Sequence, residues 1–81
     1  MEKAEIISKI NSVLAEEFEV EQNVFLPDAP LMQTLDLDSL DLVDMVVLIE
    51  QHFGILVKGS DFANITTFQD FYDFLDSQLN D

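Results

Sequence analysis

Apolar residues recur at helical spacing over the first part of the chain. The positions follow the i, i+3, i+4, i+7 rule of a helix with one buried face; they are Ile6, Ile7, Ile10, Val13, Leu14 and Phe18. Polar residues such as Lys9 and Glu16 occupy the other faces. The pattern therefore predicts an amphipathic helix from about residue 3 to residue 18.

Residues 19–37 are predicted to form a long loop, because Pro27 and Pro30 interrupt any helical pattern there. The loop must nevertheless pack against the core, since it contains five large apolar residues: Val24, Phe25, Leu26, Leu31 and Leu35. Leucine and aspartate alternate over residues 35–38, as in a short strand. A lone strand would have no partner, so no strand is expected.

A second helix is predicted to begin at Ser39, with Asp38 as its N-cap. The Asp38 carboxylate can accept hydrogen bonds from the exposed amides of the first turn, at the positive end of the helix dipole. The helix is expected to continue to about Phe53. Gly54 would end it, because glycine tolerates the left-handed conformation.

The remaining sequence predicts a short helical turn and a last helix. Between Val57 and Ile65 at most a short turn is expected. Thr67, followed three residues later by Asp70, is a variant of the capping box and announces a helix whose buried stripe comprises Phe68, Phe71, Tyr72, Leu75 and Leu79. No repeat or linker divides the chain. We therefore expect a single domain of residues 1–81, an all-α four-helix bundle with three main helices, one short helix and a long loop between helices one and two.

The second helix has two apolar faces when drawn at about 100° per residue. The face expected to enter the core consists of Leu42, Met45, Val46, Ile49 and Phe53. The opposite side holds Leu40, Asp44, Val47 and Gln51, flanked by Val43 and Leu48. An outward apolar stripe edged with acidic residues indicates a docking surface, although scattered surface hydrophobic residues are common.

Charge narrows the possible partners. The chain of 81 residues has room for one domain, and its 17 acidic and 3 basic residues give a net charge of -14. This charge repels nucleic acids and anionic membranes and favours basic protein surfaces. There is no cysteine, and residues 1–5 do not resemble a secretory signal. We expect a cytoplasmic monomer that binds basic proteins, with no nucleic acid partner and no membrane insertion.

Ser39 is the candidate for chemistry. Serine near a helix start most often forms local hydrogen bonds, but Asp38 already supplies the cap. An anion esterified at Ser39 would face free backbone amides and a favourable dipole. The single histidine, His52, lies well away on the helical wheel, so no base activates the hydroxyl. The sequence therefore predicts an attachment site and no catalytic residue.

A metal site is the alternative use of the acidic residues around Ser39. Asp36, Asp38 and Asp41 loosely resemble a calcium loop, but Leu40 occupies a ligand position and Asp41 replaces the required glycine. A structural metal site is therefore not expected. Weak binding of divalent cations to the clustered carboxylates is expected instead.

The stretch Leu-Asp-Leu-Asp-Ser-Leu-Asp-Leu-Val-Asp at residues 35–44 resembles the attachment motif of acyl carrier proteins. In that family the serine of Asp-Ser-Leu bears 4′-phosphopantetheine. Glu50, Phe53 and the Ile-Thr-Thr-Phe of residues 65–68 also match, as do the length and the acidity. The resemblance implies that a phosphopantetheinyl transferase modifies Ser39 from coenzyme A. The arm's thiol would then carry acyl groups as thioesters between enzymes, and the carrier itself would not be an enzyme.

The resemblance also implies roles for further residues. The partners would be acyl-transferring and acyl-modifying enzymes of fatty acid or related lipid or polyketide biosynthesis. The residues that contact basic patches on these enzymes would be Leu40, Asp41, Val43, Asp44, Val47 and Glu50. An acyl pocket would be lined by Val46, Ile49, Phe53, Val57, Phe62, Ile65 and Phe74. For each pocket residue, ordinary core packing is the alternative.

Two residues depart from the family pattern. Asp36 stands where many members have glycine, which leaves open the loop conformation before Ser39, and Phe62 stands where a smaller side chain is usual. These differences suggest the hypothesis of a specialised carrier. Two other readings remain: an acidic helical interaction module without a prosthetic group, and a peptidyl or D-alanyl carrier.

Overall fold

Helices account for most of residues 2–80, the part of the chain that the computed structural model describes. Four α-helices and two 3₁₀ turns follow one another: α1 (Lys3–Phe18), a turn at Gln22–Val24, α2 (Leu31–Leu35), α3 (Ser39–Phe53), a turn at Gly59–Asn64, and α4 (Phe68–Asn80). Within these residues the only β-type pairing is an isolated bridge between Pro30 and Thr67. The all-α class predicted from the sequence is confirmed.

Helix α1 has the predicted bounds, and its predicted face is buried at three of the six residues and half-buried at Ile7, Val13 and Phe18. Ile6, Ile10 and Leu14 lie four residues apart and are fully buried, as the helical repeat requires. The helix ends at Glu19, whose backbone is left-handed (φ 55°, ψ 45°) and whose amide donates to the Ala15 carbonyl. A left-handed residue at this position is a common helix ending, usually provided by glycine.

The prediction that residues 19–37 lack helix was wrong at α2. Pro30 lies just before this helix and its carbonyl accepts from the Thr34 amide at 3.0 Å. A proline in that position removes no intrahelical hydrogen bond, so it permits a helix that starts after it. Leu31 and Leu35 are buried, and this burial fixes the short helix to the core.

The long connection between α1 and α3 packs against α4. The predicted burial of its apolar residues is confirmed for some of them and wrong for others. Phe25 is buried with its ring centroid 5.0 Å from that of Phe68. The Phe68 amide donates to the Ala29 carbonyl and the Gln69 amide to the Pro27 carbonyl, both at 3.1 Å. Val24 and Leu26, in contrast, are exposed. Their expected burial was wrong, because the tight turn at Gln22–Val24 directs only Phe25 of this stretch inward.

Helix α4 begins with the predicted capping box. The Thr67 hydroxyl accepts from the Asp70 amide at 3.2 Å, and the Asp70 carboxylate accepts from the Thr67 amide at 3.2 Å. The predicted stripe is buried at Phe68, Phe71, Tyr72 and Leu75 and half-buried at Leu79. The capped start and the buried stripe are both local signals, which is why α4 could be predicted from the sequence.

Two polar contacts join α1 to α4. The Tyr72 hydroxyl donates to the Asn11 side-chain oxygen at 2.7 Å, and burial raises the pKa of Tyr72. The Lys3 ammonium pairs with the Asp73 carboxylate. Through the hydrogen bond between them, the pKa of Lys3 is raised and that of Asp73 is lowered. These contacts add to the shared buried cluster that holds α4 beside α1.

Candidate functional site

A reciprocal pair of carboxylates sets the start of α3. The Asp38 carboxylate accepts from the Asp41 amide at 2.9 Å, and the Asp41 carboxylate accepts from the Asp38 amide at 3.2 Å. The predicted N-cap is therefore confirmed. The return bond from Asp41 was missed, although the same spacing of cap and acid had been recognised at Thr67 and Asp70.

Ser39 is the first residue of α3 and its side chain is exposed. The first amide that bonds within the helix is that of Leu42, which donates to the Asp38 carbonyl at 3.1 Å. The amides of Ser39 and Leu40 precede it and have no acceptor inside the helix. An anion on the Ser39 oxygen would therefore meet two amides and the positive end of a helix of 15 residues.

Asp36 gives the loop before Ser39 a left-handed turn. Its backbone has φ 53° and ψ 50°, and its amide donates to the Gln33 carbonyl at 3.3 Å. The next amide, of Leu37, reaches back to the Met32 carbonyl at 2.9 Å. This is the way helices end when glycine is available. The open question about this loop is thus answered: aspartate adopts the conformation that glycine would favour.

A cleft of about 450 Å³ opens beside Ser39. Its other lining residues are Leu42, Val43 and Val46 of α3, and Gly59 at the start of the second 3₁₀ turn. The sequence indicated Val46 for an acyl pocket and Val43 for docking. Gly59 was not anticipated, because its place opposite Ser39 depends on how the segment after α3 folds back.

The other residues proposed for an acyl pocket lie in or against the core. Ile49, Val57, Phe62 and Ile65 are buried, and Phe53 and Phe74 are half-buried and pack against the buried cluster. The rings of Phe62 and Phe71 have their centroids 6.0 Å apart. Of the seven candidates, only Val46 lines the cleft beside Ser39.

The outward face of α3 carries exposed apolar and acidic side chains, as predicted. Leu40 is 75% exposed, and Val43 and Val47 are also exposed. Asp44, Glu50 and Gln51 are exposed along the same helix. Asp41 is half-buried and belongs to the capping box.

Leu48 does not belong to this outward face. Its side chain is only 8% exposed, and it borders a small cleft with Val13 and Glu16 of α1. The assignment from the helical wheel was wrong because α1 covers that flank of α3. The wheel gives the angle of a residue but not which neighbouring helix covers it.

His52 lies at the far end of α3 from Ser39. Thirteen residues at a rise of ~1.5 Å place them about 20 Å apart along the axis. The His52 carbonyl accepts from the Lys9 ammonium at 2.7 Å, and the same ammonium lies 5.1 Å from the centroid of the Phe53 ring. The imidazole is exposed. Ser39 therefore has no histidine near enough to act as a general base.

Over residues 2–80, no three or more His, Cys, Asp or Glu side chains are grouped so as to hold a metal ion. Nor does this part of the chain contain a helix with the length and apolar character to cross a membrane.

The fold and site define a helical protein with an exposed serine at the start of α3. The family described as the phosphopantetheine attachment site matches residues 8–75. An acyl carrier protein of Thermotoga maritima is 35% identical over 77 residues, which cover 95% of each chain. That of Coprothermobacter proteolyticus is 33% identical over 79 residues, covering 98% of this chain and 96% of its own. The chain belongs to the acyl carrier protein family.

Membership of this family implies a covalently attached 4′-phosphopantetheine. The start of α3 fits such a group in three respects. The Ser39 side chain is exposed, the amides of Ser39 and Leu40 have no acceptor inside the helix, and the adjoining cleft has an apolar wall. A phosphodiester could be seated there without displacing a buried side chain.

Proposed function

We propose that this chain carries acyl groups as thioesters on a 4′-phosphopantetheine arm attached to Ser39. The observation that carries the proposal is the position of Ser39, exposed at the first residue of a long helix whose cap is supplied by its neighbours. The hydroxyl is not used as the cap, because Asp38 and Asp41 hold that role. It is therefore available for esterification.

Four other serines occur in the sequence, Ser8, Ser12, Ser60 and Ser77. Ser8, Ser12 and Ser77 lie within α1 and α4, away from the helix starts. Ser60 is exposed near the start of a 3₁₀ turn of six residues, but no aspartate precedes that turn as a cap. Ser60 is thus the closest match to Ser39 in exposure and local structure, and it provides the control for modification.

The prosthetic group would supply a thiol that holds the acyl chain as a thioester. The residues of this chain would hold the group at its phosphodiester end. The amides of Ser39 and Leu40 would donate to the phosphate oxygens, and the dipole of α3 would offset part of the negative charge. Asp38 and Asp41 would keep the first turn in shape through their two mutual hydrogen bonds.

The partners that we propose are a phosphopantetheinyl transferase and enzymes that load, modify or accept the acyl group in fatty acid or related lipid or polyketide biosynthesis. The exposed face of α3 supports this proposal, because it combines Leu40, Val43 and Val47 with Asp44 and Glu50. A basic patch on the enzyme would be attracted by the carboxylates and would cover the apolar residues. Exposed charges act mainly on the rate of association and are screened beyond about 10 Å at 0.1 M salt. Docking would therefore be fast and readily reversible, as a shuttle requires.

We further propose that the chain itself catalyses no step. Ser39 has no histidine within reach to act as a general base, since the imidazole of His52 lies at the other end of α3. The neighbouring carboxylates of Asp38 and Asp41 are engaged with each other's backbone amides. A nucleophile on the partner enzyme would attack the carbonyl carbon of the thioester, and the C–S bond would break. The acyl group would pass to the partner, and the thiol of the arm would be released as the leaving group.

The test is the intact mass of the purified chain after incubation with coenzyme A and a broadly active phosphopantetheinyl transferase. We expect the wild type and Ser60→Ala to gain the mass of one phosphopantetheine, and Ser39→Ala to gain none. If the wild type stayed unmodified, an acidic interaction module without a prosthetic group would be the better reading. If Ser39→Ala were still modified, the attachment residue would be another serine.

A further inference from the structure

The cleft beside Ser39 has no ionisable residue in its lining, although the sequence contains 17 acidic residues. Its walls are Leu42, Val43 and Val46 on one side and Gly59 on the other. An apolar concavity on so acidic a chain cannot favour a cation or a charged group, because a charge placed there would lose water without gaining a partner. It can favour an uncharged alkyl chain.

The segment that supplies the second wall is nearly neutral. From residue 54 to residue 64 its charged residues are Lys58 and Asp61. The Asp61 carboxylate accepts from the Lys58 amide at 2.9 Å, so it is engaged with the backbone of the turn. Phe62 of the same turn is buried against Phe71. The turn therefore presents an aromatic ring to the core and a glycine to the cleft.

Neither the backbone nor close packing requires glycine at position 59. Its φ lies outside the left-handed region, and a Cβ built on it meets no atom within 4 Å. A side chain could be accommodated at this position without strain, but it would stand in or beside the cleft. The clear effect of glycine here is the space that it leaves opposite Leu42 and Val46.

We propose that Gly59 determines which acyl groups this chain shelters, by keeping the cleft open to an uncharged alkyl chain on the arm of Ser39. The proposal rests on the function proposed above and adds a residue of this chain that would set its specificity. The volume of about 450 Å³ lies within the range of ~300 to 1,000 Å³ typical of small-molecule sites. Aminoacyl groups, which carry an ammonium, are excluded by the same apolar walls.

The test compares the wild type with Gly59→Leu, Gly59→Ala and the matched control Ser60→Leu. Ser60 is the exposed neighbour of Gly59 and does not line the cleft, so the control adds the same side chain outside it. Each protein is converted by the transferase with coenzyme A, acetyl-, octanoyl- or alanyl-coenzyme A, and loading is verified by intact mass. The readouts are the melting temperature relative to the holo form and the rate of thioester hydrolysis in the absence of any partner enzyme.

We expect octanoylation to raise the melting temperature of the wild type by about 5 to 10 °C, because several methylene groups leave water. Acetyl and alanyl groups should change it little. Gly59→Leu should lose most of the increase and hydrolyse octanoyl thioester faster, Gly59→Ala should be intermediate, and Ser60→Leu should behave as the wild type.

Equal octanoyl effects in the wild type and Gly59→Leu would overturn the role of Gly59. A larger stabilisation by the alanyl group would overturn the substrate class. Failure of the wild type to load any group would instead contradict the carrier function itself. If holo Gly59→Leu melted far below the holo wild type, Val46→Ile would replace it in the test, because it adds one methylene from the opposite wall. It should likewise reduce the increase in melting temperature on octanoylation.

Discussion

Because the backbone of Asp36 is left-handed, we predict that glycine and alanine at this position will differ in the free energy of unfolding. Any residue with a Cβ loses about 1 to 2 kcal/mol in this conformation, and aspartate lies at the low end of that range. Glycine avoids the cost but loses about 0.4 to 1 kcal/mol more chain entropy on folding. At φ 53°, Asp36→Gly should therefore be more stable than Asp36→Ala by about 0.5 to 1 kcal/mol.

The charge of Asp36 must be separated from its backbone effect. The substitutions by glycine, alanine and asparagine each remove one negative charge from a chain of net charge -14, which should raise stability through weaker repulsion. Comparing glycine with alanine cancels that contribution, because both are neutral. Asp36→Asn gives the charge effect nearly alone, since asparagine tolerates the left-handed region almost as well as aspartate.

The assay is urea denaturation of the apo protein followed by circular dichroism, with Gly59→Ala as the matched control. At Gly59 the backbone is not left-handed, so alanine should be neutral or stabilising there by up to about 1 kcal/mol. The sign of the change between glycine and alanine should thus be opposite at the two positions. An Asp36→Ala variant as stable as Asp36→Gly would show that residue 36 is not held in a left-handed turn in solution.

Three further predictions concern charge. The lowered pKa of Asp73 stabilises the fold above the pKa of the unfolded state, near 3.8, and this stability is lost as the pH falls through the pKa of the folded state. The raised pKa of Lys3 stabilises the fold up to the alkaline range, and this stability is lost as the pH rises through the folded-state pKa, which lies above 10.5. Melting curves of Lys3→Met against the wild type should differ between these limits and converge at low pH; a constant difference down to pH 2 would contradict this. Magnesium or sodium chloride should raise the melting temperature by about 5 °C through screening, and a flat titration would argue against repulsion as the main weakness. Asp44→Lys should slow association with an acyl-transferring enzyme at low salt, whereas Glu16→Lys on α1 should not, and equal rates would remove α3 as the docking face.

The parts of the fold that the sequence predicted correctly are those specified by local signals. The three long helices each have a buried stripe at helical spacing, and two of them start with a side chain that caps the first turn. The sequence pattern did not predict α2, because Pro27 and Pro30 interrupt the helical periodicity of the loop. A proline nevertheless permits a helix that starts after it, as Pro30 does here. The anchor of that short helix is the burial of Leu31 and Leu35, which depends on distant residues.

In the candidate site too, residues marked by local signals could be predicted, and residues placed by contacts between elements could not. Asp38 and Ser39 could be placed because cap and first helical position are adjacent in sequence. Leu48 and Gly59 could not, because one is covered by α1 and the other faces Ser39 only after the segment following α3 folds back. Contacts between elements carry no periodic signal, so a single sequence does not reveal them.

Asp41 belongs both to the capping box around Ser39 and to the expected docking surface, so it should not be used to test docking. The resemblance to acyl carrier proteins assigns it to the partner surface, but its carboxylate accepts from the Asp38 amide at 3.2 Å and its own amide donates to Asp38. Reversing its charge would remove half of the capping box, at a cost of about 1 kcal/mol, and would alter the turn that holds Ser39. A loss of partner binding in such a variant would therefore have two causes. Asp44 makes no such contact in the capping box and lies exposed one turn further along α3, so a change at Asp44 separates recognition by the partner from the conformation around Ser39.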